Sequence, residues 1–135
     1  KSFDVHQRWH DLGDERFDLG VIWLNERVGD RIGWFGFASR PDDEMSSLIV
    51  NTAGYPADKR LGTQWFNAGR IDEVGPRVLQ YGLDTEAGQS GSPIFATDSD
   101  SERLVLAVHA YGGDASNRGI RITDDIFSLF ESWVK

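Results

Sequence analysis

Gly88-Gln89-Ser90-Gly91-Ser92-Pro93 is the stretch whose reading decides the rest of the chain. A serine hydroxyl is a poor nucleophile until a base takes its proton. The carbonyl it attacks develops a negative oxygen that needs donors already aimed at it. Glycines on both sides of Ser90 allow a turn in which two backbone N–H groups face that oxygen. A polar surface turn has the same composition, so the hexapeptide is weighed with its surroundings.

Upstream, Phe17-Asp18-Leu19-Gly20-Val21-Ile22-Trp23-Leu24 sets one acid at the head of an apolar run. Alone, Asp18 reads as a turn residue before a strand. More of the chain joins the pattern: Arg31-Ile32-Gly33-Trp34-Phe35-Gly36-Phe37, Gly54-Tyr55-Pro56-Ala57-Asp58-Lys59, Leu61-Gly62-Thr63-Gln64-Trp65, Asp84-Thr85, Ala107-Val108-His109 and Asn117-Arg118-Gly119-Ile120-Arg121-Ile122-Thr123-Asp124-Asp125-Ile126-Phe127.

Taken together these stretches resemble the chymotrypsin-like serine proteases, in their bacterial glutamyl-endopeptidase branch. The resemblance runs over nearly the whole chain and keeps the family's order. It implies an all-β fold, a chymotrypsin-like double six-stranded β-barrel with a C-terminal α-helix, the first barrel incomplete in this chain. Residues 1–40 would be the C-terminal part of the first barrel, 41–122 the second barrel, and 123–135 the helix packed on it.

The resemblance also implies roles. Ser90 would be the nucleophile and Asp18 the carboxylate that orients the histidine, the chain order in that fold being His, Asp, Ser. The N–H groups of Gly88 and Ser90 would form the oxyanion hole. Thr85 and His109 would line a pocket for a glutamate carboxylate, while Ala110, Tyr111 and Gly112 would pair with substrate backbone. Glu86 beside that pocket would oppose an acidic side chain unless it points outward.

One part of the pattern has no counterpart here. The family's general-base histidine lies well upstream of the aspartate in an Ala-Ala-His-Cys-like motif, and this chain starts after that point. His6 and His10 stand too close to Asp18; Phe3 to Trp9 reads as the strand entering the aspartate loop. A companion N-terminal chain from a nicked precursor is therefore expected to supply the base. The reading that competes with a protease is an inert homologue kept as a binding or regulatory module; a protease of different specificity is the other alternative.

Composition narrows the classes. The 135 residues suit one ordinary domain, less than two full barrels. With 39% hydrophobic and 12% aromatic residues a true core is possible. A net charge of -8 argues against nucleic-acid or anionic-membrane partners, and no apolar run reaches the roughly 20 residues of a membrane helix. Without cysteine there are no disulfides, thiol catalysis or cysteine-held zinc. No metal or other cofactor is expected; protein or peptide substrates and a secreted location are.

Short apolar runs between Gly, Pro, Asn and Asp signals predict strands near 2–9, 18–24, 33–38, 47–53, 62–71, 77–83, 92–97, 103–110 and 118–122. Arg103 to Val108 is apolar almost throughout and reads as buried on both faces. Ser39 to Glu44 reads as a linker and Asp98 to Glu102 as a hairpin tip. Thr123 would cap the closing helix, with Asp124 and Asp125 at its positive end and Ile126, Phe127, Phe130, Trp133 and Val134 on its apolar face.

Overall fold

The structure, a computed structural model, describes residues 2–113 and 116–134. Lys1 and Lys135, the outer limits of the predicted first and last segments, lie outside the described residues.

Six strands form a closed barrel. They are β4 (Ile49–Gly54), β5 (Trp65–Val74), β6 (Val78–Tyr81), β7 (Pro93–Thr97), β8 (Arg103–Tyr111) and β9 (Asn117–Arg121). Pairing runs β7-β4-β5-β6-β9, and β8 closes the ring by pairing with both β7 and β9. Closure leaves no free edge, which is how such sheets escape edge-to-edge association. Alternation supplies the interior: β4 buries Val50 and Thr52, and β6 buries Leu79 and Tyr81.

β8 shows why its sequence lacks alternation. Leu106 and Ala107 join the barrel core with Met45, Leu83 and Ile94. Val105, Val108 and Ala110 pack in a second core with Phe17, Leu19, Ile120, Ile122 and Ile126. The strand is a wall between two apolar layers. The second layer is covered by the terminal helix, α4 (Asp124–Trp133), named with α1 (Gln7–Leu12), α2 (Gly29–Ile32) and α3 (Asp42–Met45) in chain order.

A separate two-stranded ribbon pairs β1 (Ser2–Val5) with β2 (Gly20–Trp23). It stands apart from the closed barrel, and its apolar face lies open. Phe3 is 78% exposed and Ile22 67%. A groove of about 520 Å³ runs along Ser2–Val5 and Gly20–Ile22. The last strand, β3 (Gly36–Phe37), lies parallel to β8.

Several expectations need correction. The strand predicted over 2–9 ends at Val5, and α1 follows. His6 starts that helix, its Nδ1 accepting the Arg8 N–H at 3.1 Å, and Gly13, at φ 60°, stops it in the left-handed region that glycine tolerates. A capped turn overrides the extended pattern. The linker contains α3, whose Met45 seals the barrel core. Thr123 stands at the start of α4, but its hydroxyl donates to Asp125 Oδ1 at 2.6 Å instead of capping an N–H. Val134 is exposed, outside the helix's packed face. The Asp98–Glu102 tip is as expected: the Asp98 N–H donates to the Glu102 carbonyl, and Asp98 Oδ1 accepts from Asp100 and Glu102.

Candidate active site

The loop between β6 and β7 carries Ser90. Gly88 and Gly91 have φ of 93° and 88°, values at which a residue with a Cβ is strained. Gly88 is constrained further, because a Cβ there would sit 3.0 Å from the Tyr55 carbonyl oxygen. Backbone bonds pin the loop: the Gly91 N–H donates to the His109 carbonyl at 2.8 Å, Ser92 to Gln89 at 3.0 Å, and Ala57 to Ala87 at 2.8 Å. Among the described residues the N–H groups of Gly88 and Ser90 make no hydrogen bond. Two free donors therefore flank an exposed serine.

Gln89 is the contribution that sequence reasoning missed. Its side chain is buried, and Oε1 accepts the Glu86 N–H at 2.7 Å, while its own N–H donates to the Glu86 carbonyl at 3.2 Å. The turn is thus held from both sides of one residue. Gly54 leaves the space: a Cβ there would come within 3.2 Å of Gln89 Cγ. Glu86 itself is exposed and lines a polar hollow with Asp58 and Lys59.

Asp18 follows the short turn Glu15–Phe17. Its neighbours Phe17 and Leu19 are buried in the core beneath α4. Phe17 is further clasped by the guanidinium groups of Arg8 and Arg77, at 4.5 and 4.9 Å from its ring centre. The aspartate is consequently anchored by the residues beside it. The Tyr111 hydroxyl donates to Asp18 Oδ2 at 2.9 Å. Burial, and then that bond, hold the Tyr111 phenol up at about 12.

The end of β8 brings the two halves together. The Ser90 hydroxyl points to the Ala110 carbonyl at 3.4 Å, a long bond, and the next residue is Tyr111. Against β9, His109 pairs with Gly119 and Tyr111 with Arg118. Ala110 is the extra residue of a β-bulge, a device that re-aims side chains beside active sites. Gly112 is exposed beyond the strand's end.

His109 is 4% exposed. Its N–H donates to the Ser92 carbonyl at 2.9 Å, and Nδ1 lies 2.7 Å from the Tyr81 hydroxyl. Burial lowers its pKa below the ordinary 6.5. Thr85 is half-buried, and no hydrogen bond joins it to His109. The segment carrying it is tied to β9 by the Asn117 amide, which donates to the Leu83 carbonyl at 2.6 Å.

His6 and His10 stand four residues apart, but His6 Nδ1 caps α1 and His10 Nδ1 pairs with Asp11 at 2.6 Å. Among the described residues no group of three or more His, Asp or Glu side chains is placed to hold an ion.

A closed six-stranded barrel with a C-terminal helix, and an exposed serine on a glycine-flanked loop, define the chymotrypsin-like serine protease fold. A solved Glu endopeptidase in complex with MPD superposes with a TM-score of 0.86 at 21% identity, over 98% of this chain and 62% of that one. In sequence the chain is 41% identical over 128 residues to a glutamyl endopeptidase of Bacillus licheniformis, and 33% over 114 residues to one of Staphylococcus epidermidis. Those matches cover 90% and 79% of this chain. An extracellular metalloprotease of Bacillus subtilis is 34% identical over 125 residues, 93% of the chain. The chain belongs to the glutamyl-endopeptidase type of this class, and it spans about 40% of the length of those relatives. No family model matches it.

Proposed function

We propose that this chain carries the nucleophile, the orienting carboxylate and the primary pocket of a serine endopeptidase that cleaves peptide bonds after glutamate. The observation that carries this reading is the end of β8, where consecutive residues receive the Ser90 hydroxyl and bind Asp18. A companion N-terminal segment of the same precursor supplies the histidine. The apolar groove along the β1–β2 ribbon supports this, being the face on which further strands of a first barrel would lie.

In this reading Ser90 Oγ attacks the scissile carbonyl carbon as its proton passes to the companion histidine. Asp18 holds that histidine's tautomer and stabilises its cation. Tyr111 occupies Oδ2 only, leaving Oδ1 without a hydrogen bond among the described residues and free for the imidazole. The tetrahedral oxygen takes the N–H groups of Gly88 and Ser90 as donors. Collapse expels the amine, which receives the histidine's proton, and water hydrolyses the acyl-enzyme by the same route in reverse. Each oxyanion donor is worth about 10²–10³ in turnover.

Glutamate is chosen by local groups, since a net charge of -8 repels an acidic chain at long range. Thr85 and His109 donate to the carboxylate, and Ala110, Tyr111 and Gly112 extend the sheet with substrate backbone. Secretion fits the extracellular relative.

Native and denaturing mass spectrometry of the purified protein, followed by digestion of a peptide containing single Glu, Gln and Asp sites, tests the proposal. A bound histidine-bearing segment and cleavage after Glu that disappears in Ser90→Ala support it. A protein with the segment in place that cleaves nothing is an inert homologue, and the endopeptidase reading fails.

A further inference from the structure

The buried contact between Tyr81 and His109 reaches across three strands. Tyr81 lies on β6, His109 on β8, and β9 runs between them, pairing Gly119 with Leu79 on one side and with His109 on the other. A Cβ at position 119 would stand 2.9 Å from the Tyr81 hydroxyl oxygen and 3.1 Å from the Val108 carbonyl. Glycine there opens the passage through which the hydroxyl reaches Nδ1 at 2.7 Å. Tyr81 is fully buried, and the pair sits where water cannot substitute for either partner.

We propose that Tyr81 is the positioning residue that turns the Nε2 of His109 into a standing hydrogen-bond donor, and thereby sets the preference for a carboxylate side chain; this rests on His109 lining the primary pocket. A neutral imidazole has one donor and one acceptor nitrogen, and which is which follows from the partner of the other. The Tyr81 hydroxyl has no other hydrogen-bond partner among the described residues, so its proton goes to Nδ1. Burial pushes the phenol's pKa up and the imidazole's down, which keeps both partners neutral in the empty pocket. The imidazole proton is therefore on Nε2, a nitrogen with no partner among the described residues.

A tyrosine suits this task better than an acid. A carboxylate against Nδ1 would accept its proton and leave a lone pair on Nε2 of the neutral ring, facing the substrate carboxylate. It would also add a negative charge beside a negative ligand. The phenol gives the Nε2–H tautomer with no added charge. When a bound carboxylate draws a proton onto the imidazole, the same hydroxyl rotates to accept from Nδ1–H. Both protonation states present a donor.

The test uses the complete protein and Tyr81→Phe, which keeps the ring and removes the hydroxyl. Matched peptides with Glu or Gln before the scissile bond are compared, and 15N-labelled histidine reports the tautomer of His109. Loss of one oriented donor to a charged group predicts a fall in kcat/KM of about 10–100-fold for the Glu peptide. The Gln peptide is expected to change by less than about threefold, a split that general loosening of the core does not produce. The wild-type 15N spectrum should show the Nε2–H form, lost or mixed in the variant.

An unchanged Glu-to-Gln ratio, or an Nδ1–H form in the wild type, overturns the inference. If no Ser90-dependent cleavage is found, the endopeptidase reading fails by itself; the tautomer in the wild type, and its response to Tyr81→Phe, still decide what Tyr81 does. Should Tyr81→Phe fail to fold, the wild-type spectrum decides: the Nε2–H form upholds the tautomer and the Nδ1–H form removes it.

Discussion

The β4–β9 barrel and the β1–β2 ribbon are built from the same kind of strand, yet they differ in what they need. Each barrel strand has neighbours on both sides, and Val50, Leu79 and Tyr81 are fully enclosed. The ribbon has one pairing and leaves Phe3 and Ile22 in water. The serine loop, its free donors and the His109–Tyr81 pair all reside on the self-sufficient part. Asp18 sits next to the dependent part but does not rely on it, because Phe17 and Leu19 fasten it to the core under α4. The serine loop stands on the closed barrel, and in the proposed reading the open ribbon is the face that receives the companion segment.

The largest expected effect separates chemistry from fold. Ser90→Ala should remove turnover by about 10⁶-fold, the scale for deleting such a nucleophile, while thermal unfolding stays within about 1 °C, because the side chain is exposed. Residual activity near wild type would take Ser90 out of the mechanism. Gly88→Ala comes next: the φ of 93° and the Tyr55 carbonyl in the path of a Cβ force the loop to shift. Steady-state kinetics should show kcat lower by about 10²–10³ with KM little altered, and a preserved kcat would mean the loop's geometry is not what binds the oxyanion.

Third is a stability contrast between the two regions. Leu79→Ala should cost about 2–5 kcal/mol in urea unfolding, against less than about 0.5 kcal/mol for Ile22→Ala in this chain alone. Equal costs would show that the ribbon is a cooperative part of the barrel after all. Between those two lies a pH effect. His109 is held neutral by burial, so below 6.5 the unfolded chain takes up a proton that the folded barrel refuses. Stability from this group is complete above 6.5 and is lost as pH falls through the lower folded value. Urea midpoints measured from pH 7 to 5 should fall, less steeply in His109→Gln, and parallel slopes would assign the effect elsewhere.

The barrel was legible because its signals are local. Alternation in Arg77-Val78-Leu79-Gln80-Tyr81 and the apolar run of β8 report burial directly, and the glycine spacing around Ser90 reports a turn. The start of the chain misled for an equally local reason. Phe3 to Trp9 carries an extended pattern, but its fate is decided by Gly13, several residues on, which gives α1 an end and lets Trp9 pack on the second core. The Tyr81–His109 bond was out of reach. It depends on the register of three strands and on a missing Cβ at Gly119, neither of which composition or spacing discloses. Gln89 was visible as part of its motif, but its hold on Glu86 needs the turn's three-dimensional closure. Tyr111, expected along the substrate, places its hydroxyl on Asp18 because Ala110 shifts the strand's phase.

That shift has an evolutionary consequence. In an unbroken strand His109 and Tyr111 would share a face, and any change to one would press on the other. The inserted residue puts them in different registers, His109 answering to Tyr81 and Tyr111 to Asp18. In the proposed reading, selectivity and reactivity become separately heritable traits of one strand. On that reading, variation can explore new tastes at residue 109 while the Tyr111–Asp18 contact is passed on intact.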